Sequence, residues 1–288
     1  MRLFLVPIST RRALIYSQPL SKQLSKNLSY IDRITKKAAE TWAKWEEAQS
    51  GWKKWLVKYG NRVQQRIPFE EWGLKSIPPL STQREIEEAR QEKKVEVLYP
   101  GNAIKPDNIL GELRKIATER QDLHRRRMWW SFIIAPLTAP IALIPLIPNI
   151  PFFYLAYRGW SHWRALSGSR HLEFLLNKGL LNPISMPELE RFYSTRLVPS
   201  DGRTKVGETS SGTVHYIEKK DEKMLLREPD GKELGKILNA PELAVEVERA
   251  VVQVREKLES EGQLVEEIKE LDAWREKEKE KARKEVSK

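Results

Sequence analysis

The sequence predicts a mainly α-helical chain built around one Pro-rich, membrane-inserted helical hairpin. A small irregular or β-hairpin segment and a long C-terminal helix complete the expected fold. Three observations predict it. Residues 129–157, "WWSFIIAPLTAPIALIPLIPNIPFFYLAY", run for 29 residues without a charge in a chain that is 32% Asp, Glu, Lys and Arg. Apolar residues elsewhere recur at three, four and seven, the period of amphipathic helices. β-like runs are few and short. A mean hydropathy of −0.57 with the apolar content gathered in one place describes soluble flanks around a membrane-associated segment.

Residues 1–31 read as a basic N-terminal arm. Arg2, Arg11, Arg12, Lys22 and Lys26, five serines and no acid before Asp32 give it the composition of a mitochondrial targeting sequence. Residues 32–106 read as a Trp-rich amphipathic helical region. Ile34, Ala38, Trp42, Trp45, Trp52, Leu56, Tyr59 and Val63 share one helical face between Ile34 and Arg66. Trp42, Trp45, Trp52 and Trp55, beside several lysines, suit a membrane interface, although plain core packing accounts for the same face. "PFEEWGLKSIPP" ends that helix in a loop, residues 81–94 form a charged helix, and "VEVLYPGNAIKP" is extended with a turn at Pro100 and Gly101.

Residues 107–182 read as the hairpin. A stripe of Ile109, Leu113, Ile116, Leu123 and Trp130 carries one helix from Asp107 into the apolar run. His124, Arg125, Arg126 and Arg127, followed by Trp129 and Trp130, form a basic and aromatic collar suited to binding phosphates at a bilayer surface. As one straight helix the apolar run would extend roughly 44 Å, more than the ~30 Å of hydrocarbon. Pro136, Pro140, Pro145, Pro148 and Pro151 divide it instead into an arm from Met128 to about Leu146 and a second helix over Pro151–Lys178, capped by Gly179. Basic residues on both flanks favour a return to the same side, with a single tilted span as the first alternative and a soluble, buried hairpin as the second. Ser161, Ala165, Gly168 and Ser169 offer a small-residue face for close helix approach.

Residues 183–240 read as a loop-rich connector with β-like runs at Val214–Glu218 and Met224–Arg227. Residues 241–288 read as a charged helix or coiled coil, with Val247, Val251, Val254, Leu258, Val265 and Ile268 near heptad spacing.

No phosphate loop, dinucleotide fingerprint or nucleophile elbow is present. The four histidines include no i, i+4 pair of the kind that binds zinc. No catalytic residue, cofactor or metal ligand is therefore assigned, and enzyme activity is not expected. Arg158, His162, Arg164, His171 and Glu173, on the helix leaving the apolar run, are candidates for proton- or ion-linked roles, with plain interfacial polarity as the alternative. The net charge of +11 implies an anionic partner. Tryptophans that follow a helical face and charges that flank an apolar run favour the lipid bilayer over nucleic acid. Cysteine is absent, so disulfides and thiolate metal sites are excluded.

The strings "RLFLVPIST", "RIPFEEWGLKSIPP" and "YRGWSHWRALSGSRHLEFLL" resemble the fungal mitochondrial K+/H+ exchange-related proteins over roughly residues 2–200. The resemblance implies an inner mitochondrial membrane protein connected with potassium/proton exchange and matrix cation homeostasis. The absence of ionisable groups from 129–157 restricts that implication, because an exchanger needs a coordinating or titrating group within the membrane. An accessory or oligomeric component, acting with protein partners or further copies of itself, is the expectation. The alternative is a membrane-anchored scaffold that binds partners through a C-terminal coiled coil.

Overall fold

The first residues of the chain form the middle of a sheet. In the computed structural model the described residues are 1–18, 51–80, 82–91, 94–138, 149–197 and 222–286, with Pro140 and a few residues between 37 and 47. Strand β1 (Arg2–Pro7) turns back into β2 (Ala13–Gln18), and the mixed sheet runs β2-β1-β3-β4, with β3 (Val95–Tyr99) parallel to both β1 and β4 (Leu181–Ser185). Pro183, which cannot donate to a ladder, lies in the edge strand β4.

Successive side chains of a strand point to opposite faces, and here both faces are covered. Leu3, Leu5, Ile15, Val95 and Val97 join one core with Ile109 and Leu113 of α4 (Pro106–Thr118) and with Ala165, Leu172 and Leu175 of α6 (Ile150–Asn177). Leu74 of α2 (Phe69–Ser76) belongs to the same core. Phe4, Val6, Leu14 and Tyr16 join the other core with α7 (Pro187–Leu197), α8 (Asp230–Ile237) and α9 (Pro241–Val286). Further helices among the described residues are α1 (Trp52–Gln65), α3 (Thr82–Gln91) and α5 (Gln121–Leu137). The architecture is thus mainly helical, with helices on both faces of a four-stranded mixed sheet that the sequence reading did not anticipate.

Several expectations change in detail. The Trp-rich helix is not continuous from 34 to 66, because Gly51 sits at φ 89 in the left-handed region and α1 starts after it. "PFEEWGLKSIPP" is not a loop but α2, entered through Pro68 with Glu70 and Glu71 in its first turn and left before Pro78. The helix expected from Asp107 into the apolar run breaks at Arg120 (φ −112, ψ 7), which turns Trp130 out of the stripe and leaves it exposed. Met224 makes an isolated bridge to Ser9, while the run Val214–Glu218 lies outside the described residues.

The expected coiled coil is also corrected. Val247, Val251 and Val254 of α9 are buried in the protein's own core with Leu258 packed against it, so this part of the heptad-like spacing records packing on the sheet and not an open seam for a partner, while the side chains of Val265 and Ile268 lie outside the described residues. Gln253 fixes this docking: its Oε1 accepts from Phe69 N at 2.8 Å and its Nε2 donates to the carbonyls of Gln65 and Ile67 at 2.8 and 2.9 Å.

The second helix of the hairpin agrees closely with expectation. Pro151 stands in the first turn of α6, Asn149 caps it by accepting from Phe152 N, and Gly179 follows its end at φ 65. The small-residue face is used: Ser161, Ala165 and Ser169 are buried, and a Cβ on Gly168 would overlap the Leu74 carbonyl oxygen of α2. No helix among the described residues is long and apolar enough to cross a membrane. Pro136 stands one residue before the end of α5, and residues 141–148 lie outside the described set.

Candidate functional site at the helix pair α5 and α6

Two unlike regions meet on the antiparallel pair α5 and α6. One end is a buried charged cluster, and the other is an exposed apolar tip.

The cluster begins with α2. Glu71 and Lys75, four residues apart, share one helical face, and close packing of α2 on the small residues of α6 aims both at α6. Arg158, Ser161 and His162 of α6 lie at i, i+3 and i+4 and meet them. Arg158 reaches the Glu71 carboxylate through Nη1 at 2.9 Å and Nη2 at 3.2 Å, and the Ser161 hydroxyl donates to the same carboxylate at 2.6 Å. Lys75 Nζ donates to Ser161 Oγ at 3.0 Å and stands 3.4 Å from the centre of the Trp72 ring. Glu71 is 1% exposed. Burial alone would raise its carboxyl pKa, but Arg158 and Ser161 more than offset this and hold it below the usual carboxylate range. Burial pulls Lys75 down to about 8, against the opposing pull of Glu71.

His124 of α5 completes the cluster. Its Nδ1 lies 3.0 Å from Nδ1 of His162, while His162 Nε2 lies 3.0 Å from Arg158 Nη2. A guanidinium can only donate, so His162 Nε2 must accept and its single proton must sit on Nδ1. That proton is donated to His124 Nδ1, which places the His124 proton on Nε2, a buried atom without a hydrogen-bond partner. Burial holds both imidazoles near pKa 4 despite Glu71, so both are neutral in the fold.

Glu71, His124 and His162 bring three possible ligand atoms within 4.8 Å of one another, the spacing of a metal triad. The surroundings argue against a divalent ion. Arg158 already holds both carboxylate oxygens and the His162 Nε2 lone pair, and two cations, Arg158 and Lys75, face one carboxylate. A dication would have to displace Arg158 and add charge where positive charge is already in excess.

The tip has the reverse character. The buried residues of α5 are His124, Ser131 and Ala135, none of them a large apolar side chain, and this face lies against α6. Most of the large apolar residues point outward: Trp129 and Trp130 (59% exposed each), Ile133, Ile134 and Leu137 (75%), joined by Phe153 (66%) and Tyr154 of α6. Gly159 lets the Phe132 ring lie against α6. Arg125, Arg126 and Arg127 are exposed on the turn before the tryptophans.

The residues singled out from sequence divide accordingly. Arg125, Arg126, Arg127, Trp129 and Trp130 surround the tip. Arg158 and His162 belong to the cluster. His171 is fully buried in a separate place, with Nδ1 2.7 Å from the Pro78 carbonyl and Nε2 2.8 Å from Glu88, while Glu173 accepts from Gln121 at 2.7 Å. Arg164 is half-buried on α6, and Trp45 is half-buried. Trp42 and the side chains of Trp52 and Trp55 lie outside the described residues. Sequence reasoning missed the roles of Glu71, Lys75 and Ser161 and placed His124 in the surface collar with Arg125, Arg126 and Arg127, whereas it is buried against His162. The i, i+4 pair of Glu71 and Lys75 within an otherwise apolar segment was the available signal.

A family model described as mitochondrial K+-H+ exchange-related matches residues 2–176. The chain belongs to that family. The match runs from β1 to the last turn of α6, so the exchange-related family's segment contains both the charged cluster and the apolar tip, and α7 to α9 lie beyond it. An uncharacterized protein of Schizosaccharomyces pombe is 31% identical over 191 residues, 66% of this chain and 80% of that protein. An uncharacterized protein of Saccharomyces cerevisiae is 25% identical over 275 residues, 81% of this chain and 86% of that one. No solved structure matches the chain.

Proposed function

We propose that this protein acts at the inner mitochondrial membrane as an accessory component of potassium/proton exchange, held there by the α5 and α6 tip inserted into one leaflet. The observation that carries the attachment is the inverted pattern of α5, with small and polar residues buried toward its partner helix and, Phe132 apart, the large apolar ones outward. That is the arrangement of a helix whose surroundings are lipid. The sequence continues beyond the described tip as residues 139–148, "APIALIPLIP", again without a charge. From Trp129 to Leu137 the helix rises about 12 Å at ~1.5 Å per residue, close to half of the ~30 Å hydrocarbon thickness. A dipping tip therefore accounts for the apolar segment without a helix that spans.

The family supports the connection with exchange. The accessory role follows from the chemistry. Residues 129–157 hold no Asp, Glu, His, Lys or Arg, and the ionisable cluster lies outside that segment with its carboxylate fully engaged. A dehydrated potassium ion would find too few free oxygen ligands among the described residues of the apolar segment, and on this reading the path itself belongs to an assembly with other subunits or further copies.

Two measurements test the reading. After alkaline carbonate treatment the protein should stay with the membrane pellet, and release into the supernatant would remove the inserted tip. Mitochondria lacking the protein, swollen in potassium acetate, should recover their volume abnormally, and normal recovery would remove the exchange role.

A further inference from the structure

Beside the tip, the outer face of α5 carries a shallow groove of about 530 Å³ lined by Asp122, Arg125, Arg126, Trp129, Trp130 and Ile133. We propose that this groove seats the headgroup of an anionic phospholipid, with Arg125 and Arg126 on the phosphate and Trp129, Trp130 and Ile133 along the glycerol and the first acyl methylenes. The inference rests on the membrane attachment argued above.

At about 100° per residue the lining positions fall on one stripe of the helix, on the side opposite His124, Ser131 and Ala135, the buried residues that face α6. The groove therefore looks away from the protein body. Along the axis its lining changes in the order of a bilayer surface: charged at Asp122, Arg125 and Arg126, indole at Trp129 and Trp130, aliphatic at Ile133, over roughly 10 Å from Arg126 to Ile133. Tryptophan prefers the headgroup layer, and arginine can grip a phosphate with two parallel donors.

The charges are available. Arg125 donates to Asp122 at 2.9 Å, but the pair is 60% and 92% exposed, and such pairs contribute little and open readily. Arg126 and Arg127 have no ion-pair partner among the described residues. A soluble phosphate compound would need the two arginines but not the indoles or Ile133. The continuous apolar floor leading to the exposed tip fits an acyl chain, and this selects a lipid.

The test is co-sedimentation of the full chain with vesicles of phosphatidylcholine alone and of phosphatidylcholine mixed with phosphatidylglycerol. Wild type should bind the anionic vesicles more tightly. Arg125→Gln with Arg126→Gln should weaken that binding by roughly ten- to thirtyfold, from about one unit of basic-residue attraction per arginine, and leave binding to neutral vesicles unchanged. A control pair, Arg114→Gln with Lys115→Gln on the exposed side of α4, should have less than threefold effect. Equal losses from both pairs, or none from the α5 pair, would overturn the seat while leaving attachment intact. Displacement by free glycerol 3-phosphate would also overturn it, in favour of a soluble ligand. Failure of wild type to bind either vesicle would instead refute the attachment itself.

Discussion

Removing the Glu71 side chain with Glu71→Ala should be the most damaging single change in the charged cluster. The substitution deletes the acceptor of three bonds, at 2.9 and 3.2 Å from Arg158 and 2.6 Å from Ser161. Arg158 is only 12% exposed at its side chain and would keep His162 Nε2 as its remaining acceptor in the cluster. Lys75, also buried, would lose the nearest opposing charge. Breaking a buried pair by removing one partner costs about 3–5 kcal/mol, because the other charge stays buried without compensation. With a urea m-value of about 3 kcal/mol/M, a loss near 4 kcal/mol lowers the unfolding midpoint by a little over 1 M. Unfolding of the full-length chain, followed by tryptophan fluorescence and circular dichroism, measures it. Replacing both partners, Glu71→Leu with Arg158→Met, should recover most of the loss, since a buried ion pair exchanged for apolar residues is close to neutral. A cost below about 1 kcal/mol for Glu71→Ala, the range of an exposed pair, would refute the reasoning by showing that Arg158 escapes to water.

Acid should destabilise the fold through the two histidines. Both are neutral when folded, with pKa values lowered from 6.5 to about 4, so the unfolded chain takes up protons first as pH falls. Their contribution is complete above about 6.5 and is lost as pH drops toward 4; at about pH 5 His124 alone accounts for roughly 2 kcal/mol, visible as a falling urea midpoint that His124→Phe should flatten. Gly168→Ala should cost about 2 kcal/mol or more, because the new methyl meets backbone at Leu74 and α2 must move off α6; a wild-type melting temperature would contradict that contact. Ending the chain after Leu258 should preserve the fold, whereas ending it after Ala240 should unfold it by removing Leu243, Val247, Ala250, Val251 and Val254 from the core. Circular dichroism and limited proteolysis distinguish the two. The scaffold reading is accordingly tested on the chain ended after Leu258, where lost partners cannot be blamed on lost structure.

How much of this could be read from sequence depends on how local the signal is. The bounds of α6 were legible because Pro151 and Gly179 punctuate it. The small-residue face of α6 was legible for the same reason, as a spacing within one helix. Strands β1 and β2 were hidden among features of a basic arm. A strand covered on both faces reads as an unbroken apolar run, as "LFLVP" does, without the alternation that identifies a half-exposed one. The cluster was illegible because its members are far apart in the chain. Glu71 and Arg158 are separated by 87 residues, and His124 and His162 by 38. They meet only because Gly168 lets α2 approach α6 and because the break at Arg120 frees α5 to fold back along it.

Those two facts also explain why a costly charged cluster sits where it does. In water, burial of apolar surface is what holds a helix to its neighbour, and α5 supplies little: its fully buried residues are His124, Ser131 and Ala135, to which the Phe132 ring on Gly159 adds one apolar contact with α6. Trp129, Trp130, Ile133, Ile134 and Leu137 are on the other side and stabilise the protein only if something apolar covers them. The placement of α5 along α6 therefore depends on directional contacts, the His124 to His162 bond and the Arg158 and Glu71 pair behind it. A polar network of this kind contributes little net stability, but it penalises every misaligned arrangement, because each slip strands a buried charge. The cluster sets the register of the pair from the protein side, and under the attachment proposed above a bilayer would cover the tip from the other, which would let α5 present an apolar face outward while remaining part of a folded domain.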